Sequence, residues 1–72
     1  MDEKDLYVET QQFLVQEHQG LVTKLTEIQK ERSMEDPKVR LVVKDIMMLI
    51  EMLDSQIKDL SYRIRKENDR NY

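Results

Sequence analysis

An all-α fold, an antiparallel two-helix hairpin, is what this chain predicts, and three observations carry the prediction. Apolar residues recur at helical spacing through both halves of the sequence. The composition, 38% charged with a single glycine and a single proline, suits long helices. That proline stands mid-chain in Ser33-Met34-Glu35-Asp36-Pro37, where a short break would turn the second helix back along the first.

The first helix is expected over about residues 5–32, with Asp5 or Asp2 as its N-cap. Tyr7, Leu14, Leu21 and Ile28 recur at sevens, with Val8, Val15 and Val22 following the first three. Leu25 shares a heptad position with Gln11, His18 and Arg32, so the apolar stripe is wet in places. Gly20 could end the helix after Gln19, but the repeat passes from Leu14 to Leu21 in phase, which favours continuity. Gly20 shares an edge with Phe13, where a glycine is either tolerated at the surface or admits another backbone.

The turn is expected at residues 33–36. Asp36 can accept hydrogen bonds from the free amides of the next helix, and Pro37 at the first helical position gives up none. Pro37 also disfavours helical geometry at Asp36, which stops the first helix.

The second helix, about residues 37–68, carries the strongest pattern. Val39, Ile46, Leu53 and Leu60 form one column, Val42 and Leu49 a second, and Val43, Ile50, Ile57 and Ile64 a third, all on one side. Gln56 interrupts the second column and, with His18, reads as a polar residue that fixes register or oligomer number. Leu41, Met48 and Met52 lie roughly 180 to 220° round the wheel from Val39. The helix therefore has two apolar sides. One can be covered by the first helix, and the other calls for a second molecule.

A chain of 72 residues forms one domain at most. A core this small is marginal for a lone monomer, and with no cysteine there is no disulfide to brace it. The same lack removes thiolate metal sites, and a single histidine argues against zinc, so no metal and no cofactor are expected. A net charge of −3 gives no general attraction to nucleic acid or anionic lipid. No run approaches the ~20 apolar residues of a membrane span, and Met1-Asp2-Glu3-Lys4-Asp5 is not the start of a secretory signal. The expectation is a soluble cytoplasmic protein.

Acidic residues are spread along solvated faces, and a two-helix hairpin encloses no cleft in which a carboxyl pKa would be tuned, so catalysis is not expected. His18, between Leu14 and Leu21, suits a structural hydrogen bond, with a pH-sensitive interface as the functional alternative. The candidate partner-binding residues are Leu41, Met48 and Met52, widened by Met47, with Leu6 and Phe13 as a smaller ridge on the first helix. Methionine-rich surfaces adapt to the shape of what they bind. Arg63, Arg65 and Lys66, beside Tyr62, are the candidate nucleic-acid contacts, diluted by Asp59, Glu67 and Asp69 and facing the acidic start Asp2, Glu3, Asp5 and Glu9.

The expected function is thus a non-enzymatic protein–protein interaction module: an adaptor, regulatory subunit or small chaperone. It would act as a homodimer, by pairing hairpins into a four-helix bundle, or within a hetero-complex by receiving an amphipathic helix of another protein. The alternative is a dimeric hairpin that binds RNA through its C-terminal bases. In layout, though in no motif, the chain resembles the small RNA-binding plasmid-copy-number hairpins and equally the short co-chaperones of type III secretion needles.

Overall fold

The computed structural model describes residues 3–70 and consists of two antiparallel helices, α1 (Glu3–Glu31) and α2 (Pro37–Arg70), packed along their length. The hairpin is a rod of 55 × 14 × 14 Å. α1 starts two residues before the expected Asp5, so Asp5 lies inside the first turn and does not cap it. There, with Glu3, it places negative charge at the positive end of the helix dipole. Asp2 lies outside the described residues. Gly20 is helical without positive φ, and α1 is continuous through it.

The turn is built as its residue types demand. The Arg32 amide donates to the Ile28 carbonyl at 2.8 Å, which extends the α1 pattern just past its last residue. Ser33 then holds the corner twice: its carbonyl accepts from Asp36 N–H at 3.2 Å and its hydroxyl from Glu35 N–H at 3.2 Å. Asp36 caps α2. Its carboxylate accepts from Lys38 N–H at 2.9 Å, and its carbonyl accepts from Arg40 N–H at 3.1 Å. Pro37 follows at the first helical position, where no N–H is needed.

One seam joins the helices. From α2 it takes Val39, Val43, Ile46, Ile50, Leu53, Ile57, Leu60 and Ile64, at alternating steps of four and three; all are buried or half-buried. From α1 it takes Tyr7, Gln11, Leu14, His18, Leu21, Leu25 and Ile28, half-buried in the same alternation. Val8 and Val15 flank that line, also half-buried. Such 3–4 alternation is the seam of a two-stranded helical packing, in which two positions per heptad face the partner helix.

This geometry corrects the placement of one column. Val42 and Leu49 have apolar neighbours on the wheel, yet both are 47% exposed, because a third position per heptad has no facing helix to meet. Gln56, in the same column, is exposed as well and fixes no register within the hairpin. Among the described residues only Val43 (4% exposed) and Ile46 (9%) are closed off from water, and both lie in the half of α2 nearer the turn.

Towards the open end the seam turns polar. The Gln11 side-chain amide donates across it to the Ile57 carbonyl at 3.0 Å and to the Ser61 hydroxyl. No side-chain nitrogen or oxygen buried among the described residues lacks a partner. Two local ion pairs lie on α2 itself, Lys58–Asp54 and Arg63–Asp59, each at 3.0 Å. Both are exposed pairs four residues apart on one helix, an arrangement that adds little to stability. No described helix is long and apolar enough to cross a membrane.

Candidate interaction surface

The outer side of α2 follows from its sequence. A helix with apolar residues at only two positions per heptad would turn its remaining surface to water. Here Leu41, Val42, Met48, Leu49 and Met52 extend the apolar arc well beyond what α1 can reach, and they are 47–62% exposed. At about 100° per residue they cover a continuous sector next to the seam and round to its far side. Asp45 is the one charge within that sector, and Lys44 and Glu51 border it; all three are exposed.

The other expected members fall elsewhere. Met47 is exposed, but it stands about 100° from Met48, on the opposite flank of the seam. The register set by Gln11 and Ile57 puts Met47 at the height of Val22, which is also exposed, so these two belong to a separate small patch. Leu6 and Phe13 are exposed on the outer side of α1, in the half near the open end, whereas Leu41 to Met52 occupies the half near the turn. The two ridges are therefore offset along the rod. A Cβ added at Gly20, one heptad after Phe13, would meet nothing within 4 Å.

Val42 and Leu49 belong to this surface, although their column reads as core in sequence. The signal that separates them is the alternation itself: each lies outside the four–three series that runs from Val39 to Ile64.

The candidate basic residues do not all share one side of α2. Arg63 is tied to Asp59 on its own helix. Its guanidinium is held above its usual pKa by a side-chain hydrogen bond to Tyr7 first, and then by the Asp59 charge. Lys66 lies over the Tyr62 ring, 5.1 Å from its centre. Arg65 is exposed on a different side of the helix, about 160° from Arg63. Arg63 and Lys66 are neighbours three residues apart, about 60° round the wheel, and Arg65 lies about 100 to 160° from them.

His18 is half-buried at mid-seam, and Gln11, one heptad earlier, supplies a polar link between the helices. An open cleft lies against the turn, between Lys24, Glu27 and Ile28 on α1 and Lys38, Val39 and Val42 on α2. Among the described residues no group of three or more His, Cys, Asp or Glu is placed to hold a metal ion. No known protein family matches this chain, and neither curated proteins nor solved structures contain a significant match to it.

Proposed function

We propose that this chain is a non-enzymatic protein–protein interaction module, in which α1 and the turn stiffen α2 and the outer face of α2 receives another helix. Such a module serves as an adaptor, a regulatory subunit or a chaperone-like protein, as a homodimer or within a larger complex. The observation that supports the reading is the exposed sector Leu41, Val42, Met48, Leu49 and Met52. Contiguous exposed apolar surface on a helix is a mark of interaction sites. It lies on a helix, so the fitting ligand is an apolar helical stripe laid along it. The methionines suit such a role because their unbranched, polarizable side chains repack around a partner.

The test is the double substitution Met48→Lys with Met52→Lys in the full chain. Sedimentation equilibrium would read self-association, and affinity purification from the native host would read other partners. The variant is expected to keep its helicity and to lose association. Unchanged self-association and unchanged partners in a folded variant would refute the proposal.

A further inference from the structure

We infer that the helix received by this face is α2 of a second copy, running antiparallel, with the two hairpins overlapping only in their turn-side halves. The inference rests on the interaction reading above and adds partner, orientation and register. Leu41, Asp45, Met48, Met52 and Ser55 follow one another at steps of four, three, four and three, which makes a second packing seam on the exposed side of α2. Val42 and Leu49 flank it on one side, and Lys44 and Glu51 on the other.

Reversed, that seam sets opposite charges against each other on its flank. In the antiparallel register centred between Ile46 and Met47, Leu41 faces the copy's Met52, and Met48 faces the copy's Asp45. Val42 then lies beside the copy's Leu49. Lys44 lies beside the copy's Glu51, and symmetry repeats each contact. An in-register parallel copy would set Asp45 level with its counterpart, whereas the reversed register staggers the two by three residues, about 4.5 Å along the axis, and sets each against a methionine. Lys44 and Glu51 stand two turns apart on the same helix, about 10 Å at 1.5 Å per residue, with the same flank in common. Opposite signs at that spacing are what a reversed copy needs.

The register also sets the shape. The turn-side overlap covers about 20 residues of each α2, roughly 30 Å. The four helices then form an elongated assembly with the two α2 helices at the centre and the α1 helices outside. The open ends, bearing Leu6 and Phe13, point away from each other. The longest dimension becomes roughly 80 Å by the same rise per residue, against 55 Å for one hairpin.

Small-angle scattering and sedimentation of the full chain, joined to cysteine cross-linking, test this. The chain has no cysteine of its own, so introduced thiols report alone. A dimer near 80 Å long is expected, and a mixture of Leu41→Cys and Met52→Cys chains should oxidise to a mixed disulfide faster than either alone. Lys44→Glu should weaken the dimer about tenfold at low salt, and adding Glu51→Lys should restore it to within about threefold. A dimer near the length of one hairpin, or single-variant cross-links at position 41, would overturn the register while leaving the interaction reading intact. A folded monomer whose Met48/Met52-dependent partner is a different protein would overturn the second-copy inference alone. A folded monomer with no such partner would overturn both.

Discussion

The Gln11 side chain reaches across the helix pair and donates to the carbonyl of Ile57, 46 residues away in sequence, at 3.0 Å. That carbonyl belongs to the backbone ladder of α2, and the same amide also meets the Ser61 hydroxyl one turn on. A single polar side chain thus grips two successive turns of the opposite helix. Sliding α2 by one residue would break both contacts and carry the seam off its apolar line.

Gln11→Ala is therefore expected to lower stability by about 1 kcal/mol, the net worth of a protein hydrogen bond together with the packing of the side-chain stem. Gln11→Leu should be close to neutral. The Ile57 carbonyl keeps its place in the α2 ladder and Ser61 is exposed to water, so no group is stranded. Urea unfolding followed by circular dichroism checks both, and a large loss in the leucine variant would mean that the amide matters for more than register.

Ile46 and Met48 should separate folding from association. Ile46→Ala removes one of the two enclosed side chains among the described residues and is expected to cost about 2–4 kcal/mol, enough to unfold a hairpin of this size in dilute solution. Met48→Lys leaves the seam untouched, since Met48 is half in water already, and helicity should persist while sedimentation shows weaker association.

Gly20→Ala should stabilise α1 by up to about 1 kcal/mol, because the added methyl meets nothing and the helical backbone gains propensity. Thermal unfolding measures the gain. A stabilised chain that associates less well would show that another backbone approaches at Gly20.

Asp36→Ala removes the acceptor for Lys38 N–H and is expected to cost about 1 kcal/mol, whereas Asp36→Asn keeps an oxygen there and should lose less. Thermal melts of the two variants rank them, and equal losses would show that the carboxylate charge, not the cap, is what matters.

How far this hairpin was legible in its sequence can be followed residue by residue. The turn was read to the atom type: Asp36 accepts and Pro37 follows, as a cap and a first helical position require. Continuity through Gly20 was legible from heptad phase. The column Val42, Leu49 and Gln56 was not, because Val42 and Leu49 are as apolar as the two columns beside them and share their side of the wheel. Which two face α1 depends on the four–three alternation and on the position of the partner helix. The same choice exposed Gln56 and left Gln11 as the residue that sets register. Arg63 was legible as a cation but not as a group already held by Asp59 and Tyr7, since Tyr7 comes beside it only when the hairpin closes.

Because Val43 and Ile46 lie close to the corner while the far reaches of the seam hold Gln11 and half-covered apolar side chains, cohesion is graded along the rod. The two arms are pinned near their hinge and loosely clasped at their tips, like a pair of tweezers. Amide exchange should therefore slow step by step from the tips towards residues 43–46, and unzipping should start at the end farthest from the corner.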